Sequence, residues 1–245
     1  MSMGKIGKSA QAELIRSELR RFSDPVKAKM LARFFKTGKG EYGEGDRFLG
    51  VVVPHIRMIV GNHPDTPKRE IIRLLNSPYH EERLAALLIL VTQYRRGNES
   101  QKKEVFELYL ANTIFINSWD LVDLTAPHIV GEHLFERDRS VLTELANSDS
   151  LWERRIAILS THHFIRQGES RETLRIAELL LHDPHDLIHK AVGWMLREVG
   201  KRCSVKSECL FLDKYAAVMP RTMLRYAIER FPKSLKIRYM KRKLE

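Results

Sequence analysis

In the segment Asn117-Ser118-Trp119-Asp120-Leu121-Val122-Asp123, an indole and a carboxylate stand four residues apart. On a helix that spacing sets Trp119 and Asp123 on one side. Both groups attract positive charge, the ring through its quadrupole and the carboxylate through Coulomb's law. A cation over an aromatic face gains about 0.5–2 kcal/mol, and a desolvated carboxylate adds to that. A tryptophan at helical spacing ordinarily packs in a core, so Asp123 is what makes the pair a candidate site. It lies between Val122 and Leu124, about two turns into the expected helix, where a carboxylate serves no cap and aspartate is a poor helix former. Asp120 instead reads as the acid at the third helical position after Asn117, a capping residue.

Other chemistry-bearing residues carry less. The glycine-rich run GKGEYGEG at 38–45 lacks the closing Gly-Lys-Ser/Thr of a phosphate loop and follows no strand, so it is expected as a mobile loop. His128 with His133, and the pair His162-His163, have no metal-ligand spacing and read as packed or surface histidines. Cys203 and Cys209 make neither a disulfide framework nor a metal quartet, so they read as free thiols of a reduced, cytoplasmic chain. No metal site is expected.

The elements that position these residues read as amphipathic helix along most of the chain, about fourteen helices with no convincing strand pair. Asp24-Pro25 supplies a cap and a first-turn proline; Thr66-Pro67, Ser77-Pro78 and Asp183-Pro184 repeat that signal. Ser150-Leu-Trp-Glu153 fits a capping box. Phe48-Leu-Gly-Val-Val-Val is strand-like but has nothing nearby to pair with. Several helices open with a basic residue before a small or aliphatic run, at Arg83, Arg155, Lys190 and Arg221, separated by 72, 35 and 31 residues. A 31–36-residue period holds one helical hairpin, which cannot bury its own apolar face and must stack on its neighbours. The expected fold is therefore all-α: a single-domain α-solenoid of about six HEAT-like pairs over residues 1–245, with a basic tail from about 236. Ala85, Ala86, Ala157, Ala191 and Gly193 would let helices approach closely. Equivalent positions would form a row on one face, Arg83, Trp119/Asp123, Arg155, Lys190 and Arg221.

Composition bounds the rest. The chain has 245 residues, 43% of them hydrophobic, which is enough for a sizeable core. No apolar run is long enough to span a membrane and the opening residues have no signal-peptide pattern. The formal net charge of +11 points to a polyanion. It is loaded at the ends: residues 1–39 carry +7, residues 219–245 carry +7, and the middle is slightly acidic. Solvated tails would give the same arithmetic as two grips on a phosphate backbone.

The runs FLGVVVPHIR (48–57), NSWDLVD (117–123), WERRIAIL (152–159) and HKAVGWMLRE (189–198) resemble the DNA alkylation repair glycosylases of the AlkD type, over roughly residues 10–235. The resemblance implies a C-shaped stack of HEAT-like repeats with a basic concave face on duplex DNA. It implies a monomeric, monofunctional glycosylase that excises cationic N3- or N7-alkylated purines without metal or organic cofactor. It places the catalytic aspartate at Asp123, the lesion-facing tryptophan at Trp119, a supporting arginine at Arg155 and a second cleft tryptophan at Trp194. Lys190, Arg83, Arg221 and Arg47 are the further candidate DNA contacts. Val51-Val52-Val53 stands where such proteins commonly carry a basic residue, which removes one expected phosphate contact. A non-catalytic HEAT-like module binding damaged or branched DNA is the alternative, and a protein-binding scaffold a third.

Contact with about six phosphates makes affinity for duplex DNA fall about a thousand-fold or more between 50 and 200 mM salt. Arg155→Ala or Lys190→Ala each lowers the logarithmic salt slope by about one unit. A flat salt titration would remove the nucleic-acid reading.

Overall fold

Fourteen α-helices of five residues or more, and no β-strand, make up the described part of the chain, an all-α, HEAT-like fold. The structure, a computed structural model, describes residues 10–242. The opening residues of the sequence and Lys243 of the basic tail lie outside the described residues. The chain forms two compact units, Met1–Thr125 and Ala126–Glu245. In the first, the His80–Arg96 helix is buried on nearly every side, with the Gln11–Arg21, Val53–Asn62, Lys68–Leu75, Glu99–Leu110 and Trp119–Asp123 helices packed around it. In the second, the Leu151–Arg166 and Asp186–Arg202 helices hold the centre, packed on each other and on Ser140–Ala146, Val205–Tyr215 and Arg221–Ala227.

Local signals place the helices, with displacements of a residue or two. The Asp24 carboxylate accepts from Val26 N and Lys27 N, and Pro25 opens its helix as expected. At the other three Pro sites the helix begins later than the sequence pattern suggests. Pro67 is itself the N-cap, while the helices after Pro78 and Pro184 start at His80 and Asp186. Ser150 takes the Glu153 N–H, but the reciprocal half of the expected box is relayed. The Ser148 hydroxyl accepts from Ser150 N at 3.0 Å and donates to the Glu153 carboxylate.

These helix starts correct the repeat register. At Ser77, Ser148 and Asp183 the side chain accepts from the backbone N–H two residues on, at 3.1, 3.0 and 2.8 Å. Each helix then begins three residues after that position, and the side chain six residues after it reaches back to its carbonyl. Arg83 donates to Ser77 O at 2.9 Å, Arg154 to Ser148 O at 3.0 Å, and His189 to Asp183 O at 2.5 Å. The equivalents of Arg83 are thus Arg154 and His189, one residue before the expected Arg155 and Lys190. Arg221 follows a different start, with its guanidinium on Met240 O at 2.6 Å.

The 38–45 loop and the C-terminal segment are both tied by hydrogen bonds, and for the second this changes the expectation. The 38–45 loop is folded on itself: Gly38 N donates to Glu41, Gly40 N to Glu44, and Gly43 N to Lys36 O. The C-terminal segment is no solvated tail as far as residue 242. Lys233–Met240 is helical, Tyr239 is buried, and Arg242 donates to Asp213 O at 2.7 Å.

Glycine permits a close helix approach at Gly193 in the second unit. A Cβ on Gly193 would sit 2.4 Å from Met223 O and 2.6 Å from the Tyr226 Cβ. Gly193→Ala therefore pushes the Asp186–Arg202 and Arg221–Ala227 helices apart, at a cost of about 1–3 kcal/mol. Urea unfolding measures this, and a loss below about 0.5 kcal/mol would mean the pair separates freely.

Candidate active site

The Trp119–Asp123 helix is too short to hold itself, since one turn fixes more backbone than it repays in hydrogen bonds. No side chain caps its start at Ser118. Its neighbours hold it. Leu121 and Val122 are fully buried, while Trp119, Asp120 and Asp123 are partly exposed. The Trp119 ring stacks on Phe35, centroids 5.2 Å apart and planes 14° from parallel, and meets Phe34 edge-on at 5.9 Å. At the other end the Thr125 hydroxyl donates to Leu121 O and lies 3.0 Å from the Tyr109 hydroxyl. Asp123 is the last residue of this helix and not, as expected, two turns inside one. Neither a cap nor the helix dipole favours a carboxylate there. Burial keeps the Tyr109 phenol protonated to far above neutral pH, against the Thr125 hydrogen bond and with a smaller contribution from the Asp123 charge.

Asp120 is not a cap. Its Oδ2 accepts from His80 Nε2 at 2.7 Å, and His80 Nδ1 lies 3.1 Å from Asp46 Oδ2. Asp46 is also bound by Arg83. Burial opposes the charge on His80, but hydrogen bonds to Asp120 and Asp46 outweigh it and raise the imidazolium to about 9. Burial likewise opposes charge on Asp46, yet His80 and Arg83 hold it below the usual carboxylate range. Phe48 stacks on the His80 ring at 4.7 Å, a further support for its positive form.

The next residue shapes the 48–53 run. The Glu81 carboxylate accepts from the N–H groups of Leu49, Gly50 and Val51 at 2.9, 2.8 and 3.2 Å. Gly50 has φ +86°, and a Cβ there would lie 2.1 Å from Asp24 O. Hence the strand-like run is a tight loop: Val51 is buried, Val52 is exposed and Val53 opens the Val53–Asn62 helix.

The expected row of exposed cations is corrected in the same way. Arg83 is 4% exposed, held by Asp46 and Ser77 O, so it braces the fold and is withdrawn from DNA. Arg155 is 5% exposed and donates to Leu187 O at 2.7 Å, tying the Leu151–Arg166 helix to the Asp186–Arg202 helix. The salt-slope effect expected of it passes to side chains nearer solvent. Lys190 is half-buried, 2.7 Å from Asp186. One turn on, Trp194 is partly exposed, its ring 5.9 Å from His162. Arg221 and Arg47 are exposed. Trp119 and Asp123 are thus gathered in the first unit, Lys190 and Trp194 in the second.

His80 and Asp46 escaped the sequence reading. Their only trace is a histidine at a helix start, because the partners lie 34 and 40 residues away. Among the described residues, no group of three or more His, Cys, Asp or Glu side chains is placed to hold a metal, and no helix is long and apolar enough to cross a membrane.

A family model described as "DNA alkylation repair enzyme" matches residues 15–231. The chain belongs to the DNA alkylation repair enzyme family. A solved structure titled "Predicted DNA alkylation repair enzyme from Enterococcus faecalis" is similar in fold, with a TM-score of 0.67 at 15% identity, covering 86% of this chain and 97% of that one. No curated protein matches. In this member of the DNA alkylation repair family the buried charges give stability a pH signature. The His80 imidazolium is bound in the folded state and has a raised pKa, so its contribution is complete below about 6.5 and lost as pH rises through about 9. The contribution is on the order of 3 kcal/mol. Urea unfolding of wild type and His80→Gln at about pH 6.5 and 9.5 should show the difference between them shrinking at the higher pH. A constant difference would place the charge elsewhere.

Proposed function

We propose that this DNA alkylation repair protein is a monofunctional glycosylase that removes cationic N3- or N7-alkylated purines from duplex DNA. The observation that carries the reading is the Trp119–Asp123 helix. It buries Leu121 and Val122 and leaves the indole of its first residue and the carboxylate of its last, four residues apart, both partly exposed. Alkylation at N3 or N7 makes the purine a cation and a good leaving group. Its glycosidic bond breaks with little help from an acid and leaves an oxocarbenium-like sugar. The protein must then stabilise positive charge and position a water, tasks for one fixed carboxylate beside an aromatic face. Asp123 takes that role. Trp119, its ring held flat on Phe35, offers an edge to the lesion or its sugar. Lys190 and Trp194, one turn apart on a partly open helix face, are assigned to the DNA backbone, and the exposed Arg47 and Arg221 add longer-range attraction. Arg155 acts by holding the helix that carries them. The substrate chemistry asks for no metal or organic cofactor, so excision should survive EDTA.

Asp123→Asn keeps shape and hydrogen-bonding capacity but removes the charge. Excision of 7-methylguanine from duplex DNA should fall roughly 10²–10³-fold, about 2.7–4 kcal/mol. Binding to a non-hydrolysable abasic analogue should stay within a few-fold. Full activity in this variant would sink the assignment of Asp123, and a wild type that binds damaged duplex without excising would leave a non-catalytic binding module.

A further inference from the structure

We propose that His80 is the positioning residue of the site: held between Asp46 and Asp120, it clamps the Trp119–Asp123 helix and sets the Asp123 carboxylate. The inference deepens the glycosylase reading and rests on it for the role of Asp123. Both His80 ring nitrogens face carboxylate oxygens, Nδ1 at 3.1 Å from Asp46 and Nε2 at 2.7 Å from Asp120. An ionised carboxylate only accepts hydrogen bonds, and a neutral imidazole has one N–H to give. Satisfying both partners requires the doubly protonated ring.

The surroundings make this charge matter. The side chains of Asp46, His80 and Arg83 are 3–5% exposed and Asp120 13%, so the four groups form a balanced network of two cations and two anions out of water. The other charges nearby are committed elsewhere. Glu81 collects the N–H groups of residues 49–51, and Glu82 is bound by Arg16 at 2.8 Å and Arg20 at 3.0 Å. Arg47 meets His80 through its backbone carbonyl, and the rings of Phe35 and Phe48 cover the imidazole. Asp120 Oδ1 has no hydrogen-bond partner among the described residues, so Oδ2 on His80 is the bond that holds this carboxylate.

Loss of the proton turns one contact into a lone pair facing an anion, with a net negative charge left buried. A helix of five residues has little internal stiffness to resist that. Asp120 would swing from His80, and Trp119 beside it and Asp123 one turn on would shift with it. A displacement of about 1 Å is enough to cost on the order of a hundred-fold in rate.

The test follows the His80 ring and the Trp119 indole by NMR between about pH 6 and 10, with Trp119→Phe to assign the indole. Single-turnover excision of 7-methylguanine is measured over the same range, corrected for uncatalysed loss. In wild type the three titrations should share one midpoint near 9. Asp46→Asn removes one of the two carboxylates and should move all three midpoints down together by about one unit or more, with affinity for an abasic analogue within about three-fold. His80→Gln should lower the rate about 10–100-fold and abolish the alkaline titration of the indole. A His80 midpoint near that of a free histidine would overturn the clamp. So would an Asp46→Asn variant in which His80 shifts and Trp119 and the rate do not follow. An indole that tracks His80 in a wild type that never excises would refute the glycosylase reading and leave the clamp standing.

Discussion

Four consecutive residues at the start of one helix, His80, Glu81, Glu82 and Arg83, are each at most 4% exposed, and each fixes a different part of the first unit. His80 joins the Asp46 loop to the Trp119–Asp123 helix, Glu81 folds the 49–51 backbone around itself, Glu82 receives two arginines of the Gln11–Arg21 helix, and Arg83 closes on Asp46 and Ser77. Taking charges out of water costs several kcal/mol each, which mutual attraction repays only when every group is paired. The network therefore contributes less as a source of stability than as a selector of geometry. An alternative packing would strand a buried charge. Removal of one partner is expected to be more damaging than the modest net worth of the pairs suggests.

Charge counted along the sequence overstates what remains for DNA. Arg16, Arg20 and Arg83 contribute to the positive count but are spent on Glu82 and Asp46. Arg154 is taken by Asp183, and Arg242 by Asp213 and the Leu212 carbonyl. The end-loaded arithmetic was right as arithmetic, yet several of its cations are internal ligands. Long-range attraction of a polyanion depends on net charge and survives this pairing, whereas contact with individual phosphates needs side chains that reach solvent.

Helix type and number were legible because they rest on apolar periodicity, which is local in sequence. Asp24-Pro25 was legible for the same reason. Repeat register was legible to one residue and no better: Arg154-Arg155 and His189-Lys190 each offer two polar neighbours, and what separates them is a side chain reaching back to a carbonyl six residues earlier. Asp120 was misread as a cap because a capping acid and an acid bonded to a distant histidine look alike at one helix start. The expected row failed on burial at Arg83 and Arg155, which a basic residue leading an apolar run does not reveal. Trp119 and Asp123 stood out in the sequence by their four-residue spacing, and the structure sets them at the first and last positions of one short helix, where the apolar pattern had suggested a longer one. His80 and Asp46 have no such mark, since their pairing is made by the tertiary fold.

A reaction that relies on one carboxylate near a developing cation places unusual weight on how that carboxylate is held. A strong nucleophile tolerates some looseness because bond formation draws it in; an electrostatic stabiliser works by being oriented before the charge appears. Long helices supply such rigidity through their own hydrogen bonds, and this helix of five residues cannot. An imidazolium suits the task better than a lysine. It is flat enough to lie against Phe35 and Phe48, it donates from two opposed positions, and it loses less side-chain freedom when fixed. The same choice ties the geometry to a proton. Lysine would stay charged to higher pH, whereas a histidine between two carboxylates remains charged through neutrality only while both partners stay in place. The clamp and its charge therefore sustain each other, and the site is held by a mutual condition that neither the helix nor the histidine meets alone.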